Sequence, residues 1–189
     1  INQFLIFRLN EVPKDAKKVS VILTCKDEEG NIEELVKRTP IMGEHTELVF
    51  VEGGSKDNTY DVVSKHDIFL LRHTINRGQG AALKTGIDFA LNLGSDVIVT
   101  FDSYGQHCVD EINSVIKPII AGKVDATLGS RFLGTVTNIP LSKQVVLRIG
   151  IIFTWMFSGV LLTDTHNGFR ALSREAAQAV ENRLGQPDP

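Results

Sequence analysis

Along the chain, short apolar runs alternate with stretches whose apolar residues recur at helical spacing. "VSVILTC" (19–25) is brief, β-branched and mostly apolar, which predicts a strand buried on both faces. "DEEGNIEELVKRT" predicts the start of a helix, with acidic side chains in the first turn suiting its positive end. A second strand is predicted over "ELVFVEGG" (47–54), ending in glycines. "SKDNTYDVVSKH" then reads as a loop entering a helix, with Ser55 or Asp57 able to cap it. "IFLLRH" reads as a third strand. "NRGQGAALKTGIDFALNLG" is a glycine loop followed by a helix with Ala82, Ile87, Ala90 and Leu91 at helical spacing. "DVIVTFD" is a fourth strand, "VDEINSVIKPIIAG" a helix and "DATLGSRF" a fifth strand. This alternation predicts an α/β fold: a mainly parallel sheet with helices on both faces.

Sheets of this kind bind ligands outside the carboxyl ends of their strands. Thr24–Glu28, Glu52–Ser55, Asn76–Gly80 and Asp102–His107 are polar or glycine-rich segments expected at that edge. Any one of them reads equally as a solvent-exposed turn; together at one edge they point to a site. The segment 145–162, "VVLRIGIIFTWMFSGVLL", differs in kind. Its uninterrupted apolar part, Ile149–Leu162, is too short to span a bilayer comfortably, and Arg148 sits beside it. Two readings stay open: a buried core helix, or a helix touching the membrane interface with Trp155 and Phe157 as anchors.

Composition narrows the classes. The 189 residues are 42% hydrophobic and 23% charged, ordinary for one soluble globular domain with a sizeable core. A formal net charge of −3 argues against a general nucleic-acid binder, so any phosphate-binding basic patch must be local. Cys25 and Cys108 lie far apart without C-x-x-C spacing. That speaks against a disulfide framework or zinc site and fits a reducing compartment. No signal peptide is visible. The start at Ile1 and the turn-rich end "ENRLGQPDP" read as those of a fragment.

"IVTFDSYGQH" (98–107) poses the chemical question. A carboxylate at the end of a buried strand is a place to hold a metal or a ligand, and Asp102 is expected to emerge there. A metal site usually wants a second carboxylate close by, and two residues on stands Tyr104.

These segments together resemble family 2 glycosyltransferases of the GT-A fold. They look closest to the branch of dolichol-phosphate mannose synthase and related polyprenyl-phosphate glycosyltransferases. The resemblance runs from about Val19 to Ala179. "VSVILTCKDEEGNI" is similar to the family's opening strand and acidic turn, and "LVFVEGGSKDNT" to its second strand, which usually ends Asp-Asp-Gly-Ser. "NRGQGAALKTGIDFA" matches the Gly-rich loop and helix, and "VTFDSYGQH" the Asp-x-Asp segment. "LGSRFLG" and "LTDTHNGFRALSREA" match two later signatures.

The resemblance implies an N-terminal extension (1–18), a GT-A domain (19–180) with a mixed, mostly parallel sheet, and a tail (181–189). It implies sugar transfer from a nucleotide-sugar donor to a polyprenyl phosphate or cell-envelope glycan, with inversion. A divalent metal (Mg²⁺ or Mn²⁺) would neutralise the leaving diphosphate. Asp102 matches the first metal aspartate and Gln106 a residue that can also face the metal; Tyr104 replaces the second aspartate. His107 reads as a substitute ligand or as a helix-start polar residue. Thr24, Glu28, Glu52 and Ser55 would line the nucleotide pocket, with Gly78 and Gly80 in the Gly-rich loop. Arg131 matches an arginine near donor or acceptor phosphate, where a planar fork binds two oxygens; a surface ion pair is its structural alternative. Lys143 or Arg148 would add a second positive charge. Asp164 falls where a general base or acceptor-positioning group is expected, or caps a turn before Asn167-Gly168. Arg170 is a phosphate contact or a partner of Asp164. The implied setting is cytoplasmic, peripheral at the inner face of a membrane.

The chain departs from the pattern at Glu52 and Gly53, which stand for the family's two aspartates, at Gln79, often Lys, and at Lys26, commonly aromatic. Two other classes therefore stay open. One is a nucleotide-sugar binding protein without catalysis. The other is a nucleotidyltransferase, against which the acidic "TCKDEEGN" counts, since that class places a basic Gly-rich loop after its first strand.

Overall fold

The computed structural model describes residues 17–30, 32, 46–102, 111–130, 141–159, 162–164 and 167–184. Within them, β1 (Val19–Cys25), β2 (Thr46–Glu52), β3 (Phe69–Arg72), β4 (Val97–Asp102), β5 (Ala126–Leu128) and β6 (Arg170–Ser173) form a six-stranded sheet in the order β3-β2-β1-β4-β6-β5. The β1–β2, β1–β4 and β2–β3 pairs are parallel. β6 runs antiparallel to both β4 and β5. The expected sheet is present, with one strand more than the apolar runs predict. "RALS" is the addition, inserted between the fourth and fifth strands.

The side-chain period of two explains why β1 had to be buried on both faces. Val19, Val21, Leu23 and Cys25 point into one core, with Phe50, Val97, Val99 and Phe101 from neighbouring strands. Ile22 enters the other core with Val49, Val51 and Ile98. Helix α1 (Thr59–Val63) and helix α3 (Ile112–Ile120) cover the first face through Val63, Ile112, Ile116 and Ile119. Helix α2 (Gln79–Asn92) covers the second through Ala82, Ile87, Ala90 and Leu91, joined by Ala177 of α5 (Arg174–Leu184). Arg174 fastens these two helices, donating to Ser95 O at 3.0 Å and Leu91 O at 3.2 Å, near the carboxyl end of α2.

α2 packs on the sheet at Gly86, which carries no side chain. A Cβ at Gly86 would stand 2.5 Å from Ile22 Cγ2 and 3.2 Å from Val51 Cγ2. Both neighbours are fully buried strand residues with no room to retreat. We expect Gly86→Ala to destabilise the fold by roughly 1–2 kcal/mol, since overpacking outweighs the gain of about 1 kcal/mol in helix propensity. A denaturant titration that finds Gly86→Ala as stable as the parent would show that the sheet yields more easily than this packing implies.

Helix α4 (Leu141–Ser158) is the remaining element. Leu147 is buried, but Val146, Ile149, Ile152, Phe153, Trp155, Met156 and Phe157 are exposed. The buried-core reading of this segment is thereby corrected: the apolar face has no covering layer among the described residues. Among those residues, no helix is long and apolar enough to cross a membrane.

Candidate nucleotide site

The carboxyl ends of β1, β2 and β4 meet at one edge. β1 and β2 end side by side, with Cys25 opposite Glu52, and β4 ends with Asp102 opposite Thr24. A cleft opens there, lined by Thr24, Cys25, Lys26, Gly53, Asn76, Gly78, Gln79 and Ala82. Two residues of the expected nucleotide set, Thr24 and Gly78, line it directly. Gly80 follows in the first turn of α2, while Glu52 ends β2, and Glu28 and Ser55 lie in the adjoining loops; these three do not line the cleft.

Those loops are interlocked by hydrogen bonds. The Gly53 N–H donates to Cys25 O at 2.9 Å. The Asp27 N–H donates to Ser55 Oγ at 3.0 Å, and the Lys56 N–H returns to Asp27 Oδ1 at 2.8 Å. The Glu28 N–H donates to Thr59 Oγ1 at 2.9 Å. Asn58 Nδ2 reaches Glu29 Oε1 at 3.0 Å. Asp57 accepts the Thr59 N–H at 3.0 Å and the Thr59 hydroxyl at 2.6 Å. Neither expected cap holds the N-cap position of α1, which is Asn58: Asp57 accepts from Thr59 just before the helix, and Ser55 accepts from the β1 loop. Asp27 takes a left-handed φ of 54°, which few non-glycine residues adopt without local hydrogen bonds.

Two carboxyls of this interlock, Asp27 and Asp57, titrate low. Hydrogen bonds from the Thr59 side chain and from backbone N–H groups hold Asp57 below the ordinary carboxylate value. Lys26 and the Lys56 N–H do the same for Asp27. Depressed values mean that the interlock is complete at neutral pH and loosens only as pH falls through them.

A third loop closes from the β3 side. Gly54 has φ +82°, and a Cβ there would stand 2.9 Å from Asn76 N. Only glycine lets these two backbones approach so closely. Asn76 Oδ1 in turn accepts the Gly78 N–H at 2.9 Å, shaping the entry to α2.

Cys25 sits in the cleft wall as a buried thiol. Burial first, then the Glu52, Glu28 and Asp57 carboxylates, push its thiol up to about 12. In a Cys108→Ser background we expect no reaction with a thiol reagent at pH 8 until denaturant is added. Rapid labelling of the native protein would show that the wall opens.

The two later signatures pack on each other. The Gly129 N–H donates to Phe169 O at 2.8 Å, and a Cβ at Gly129 would stand 2.9 Å from Phe169 Cδ1. Phe169 meets Phe101 edge-on at 5.5 Å between centroids. Thr100 Oγ1 donates to Gly168 O at 2.8 Å. Through these contacts "LGS" and "NGFR" sit against β4 just before Asp102. Asp164 is buried, while Arg170 is exposed and donates from Nε to Asn167 O at 3.2 Å. Tyr104, Gln106, His107 and Arg131 lie outside the described residues. Among the described residues no cluster of three or more His, Cys, Asp or Glu is placed to hold a metal.

Two residues that sequence reasoning passed over also belong to this edge. Arg72 pairs in register with Glu52, and its guanidinium carbon lies 4.2 Å from the centre of the Tyr60 ring. The signal available was faint: an arginine ending the "FLLR" run, one strand away from an acidic strand end.

A parallel sheet with one antiparallel insertion and a glycine-shaped cleft at its carboxyl edge defines a GT-A type nucleotide-diphospho-sugar transferase fold. The fold is shared with glucosyl-3-phosphoglycerate synthase from Mycobacterium tuberculosis, solved in complex with Mn²⁺, UDP and glucosyl-3-phosphoglycerate. The TM-score is 0.67 at 18% identity, over 84% of this chain and 57% of that one. The chain thus spans less than two thirds of that solved protein. The family model of glycosyl transferase family 2 matches residues 20–180, and the chain belongs to that family. It is 31% identical to the UDP-N-acetylglucosamine–dolichyl-phosphate N-acetylglucosaminyltransferase of Methanococcus voltae, over 89% of this chain and 74% of the relative. It is 27% identical to the polyprenol monophosphomannose synthase of Mycolicibacterium smegmatis, over 89% and 66% respectively.

Proposed function

We propose that this glycosyltransferase moves a sugar from a nucleotide-sugar donor to a polyprenyl phosphate at a membrane surface. The observation that carries the donor half is the cleft at the ends of β1 and β2, with β4 bringing Asp102 opposite Thr24. The two relatives, a dolichyl-phosphate N-acetylglucosaminyltransferase and a polyprenol monophosphomannose synthase, support the acceptor half. So does the uncovered apolar face of α4, with Arg148 exposed beside it.

Thr24, Lys26, Gly53 and Gly78 would contact the nucleotide, with Glu28, Glu52 and Ser55 shaping the loops behind them. Asp102 and Gln106 would hold a Mg²⁺ or Mn²⁺ ion. A carboxylate and a side-chain amide are both oxygen donors, the chemistry a hard cation takes. When bound, such an ion supplies countercharge to the departing diphosphate. Arg131 would add a bidentate phosphate contact. A lipid phosphate is already ionised at neutral pH and needs no strong base to attack. Asp164, which is buried, would then position the acceptor side. The protein would work as a peripheral enzyme at the cytoplasmic face of the membrane.

A thermal-shift screen of UDP-, GDP- and other nucleotide sugars with and without Mn²⁺ identifies the donor. Labelled transfer to a short-chain polyprenyl phosphate then tests the acceptor. Stabilisation by a donor without transfer to the lipid phosphate would favour a glycan acceptor or a binding protein without catalysis.

A further inference from the structure

Glu52 is fully buried, and both of its carboxylate oxygens are turned to protein groups. Oε1 accepts the Ser55 N–H. Oε2 lies 3.2 Å from Arg72 Nε, an ion-pair distance without hydrogen-bond alignment. Its main-chain oxygen accepts the His73 N–H at 2.9 Å. Arg72 is half exposed at 50% and rests its guanidinium on the Tyr60 ring. Tyr60 belongs to α1, directly after the loop that Ser55 opens. Arg72 therefore bridges the end of β3, the end of β2 and the helix that follows β2. It is not among the residues that line the cleft.

A buried carboxylate without a countercharge is costly, and the cost is relieved by taking up a proton or by turning towards water. Turning Glu52 towards water would break its contact with the Ser55 N–H. Ser55 Oγ receives the Asp27 N–H, and Asp27, held at φ 54°, precedes the β1 turn and follows Lys26 in the cleft wall. The contacts thus run from Arg72 to Glu52, from Glu52 to Ser55, and from Ser55 to the β1 loop.

We propose that Arg72 is a positioning residue for the donor site, holding the buried Glu52 carboxylate and, through it, the Ser55–Asp27 contact that shapes the cleft wall. The proposal rests on the nucleotide reading of the cleft. Tyr60 keeps the guanidinium over the pair by a cation–π contact. Loss of Arg72 lowers the fraction of molecules whose loops are ready for the nucleotide. The apparent affinity falls by that fraction, while the site that forms is unchanged.

The test is calorimetry of the full chain with UDP and with GDP, each in the presence of Mn²⁺, alongside melting curves. Arg72→Met, which keeps the stem but removes the charge, should weaken nucleotide binding about tenfold at unchanged stoichiometry. Adding Glu52→Gln, which retains an acceptor for the Ser55 N–H but abolishes the charge, should recover most of that loss. A merely structural arginine predicts no such recovery. Wild-type affinity in Arg72→Met, or a double variant no better than Arg72→Met alone, overturns the proposal. If Arg72→Met melts far below the parent, Arg72→Lys decides: it keeps a cation beside Glu52 and should bind within about threefold of the wild type. A lysine variant as weak as tenfold below it also overturns the proposal. A wild type that binds neither diphosphate removes the nucleotide reading itself, and this proposal with it.

Discussion

Replacing Asp102 with asparagine abolishes Mn²⁺-assisted nucleotide binding and lowers sugar transfer by a factor on the order of 10²–10³. The expectation follows from position and charge. β4 is a central strand, and its run "VIVTFD" ends at Asp102, opposite Thr24 of the cleft. One carboxylate and the Gln106 amide offset a divalent charge less than two carboxylates would. The ion should therefore draw further oxygens from the donor diphosphate and bind little without it. Tyr104→Asp should tighten Mn²⁺ binding to the free protein. Calorimetry of Mn²⁺ with the wild type and both variants, with and without a nucleoside diphosphate, separates these terms. An Asp102→Asn protein that binds ion and nucleotide as the wild type does would reduce "FDSYGQH" to the end of a strand.

The double variant Trp155→Ser, Phe157→Ser should partition onto anionic vesicles about a hundredfold more weakly, with nucleotide binding nearly unchanged. Trp155 is 53% and Phe157 72% exposed, so neither substitution opens a cavity in the fold. Each large aromatic side chain contributes about 1.5 kcal/mol when half-buried in an interface, and two together give that factor. Phe157 also packs against the tilted ring of Phe153, 4.4 Å between centroids, so serine at 157 loosens a third aromatic group. Vesicle sedimentation measures the partition, and a melting curve checks the fold. Equal sedimentation of variant and parent would mean that the face meets something other than lipid. A variant that unfolds would mean that this face packs against protein after all.

The central strands were legible because they are buried on both faces: β1, β2 and β4 read as apolar runs whatever they pair with. β6 was not. "RALS" is four residues long, begins with an exposed arginine and offers no alternation. Its strand character comes from β4 and β5, which lie far away in sequence. The exposure of α4 was undecidable for a similar reason, since a core helix and an interfacial one can share a composition and differ only in what covers them. At the site, the carboxyl-edge loops announced themselves by glycine and polar clusters. The pairing of Arg72 with Glu52 did not, because it depends on the register between β2 and β3. Nor did the left-handed turn at Asp27, which is sustained by hydrogen bonds from a different loop.

The placement of β6 also governs when the sheet can be finished. As the chain leaves the ribosome, β1 to β4 can pair as they appear. β5 cannot, because among the described strands its neighbour is β6, and residues 170–173 emerge much later than 126–128. Until they arrive, "ATL" has a bare hydrogen-bonding edge, and loop closure over that separation must come first. Arg174, the next residue, then donates to Leu91 O and Ser95 O and ties the newcomer to α2. A nascent chain stopped short of Phe169 would therefore lack β6 and leave β5 unpaired, and the signature that begins at Leu128 would lack the Phe169 surface on which Gly129 packs.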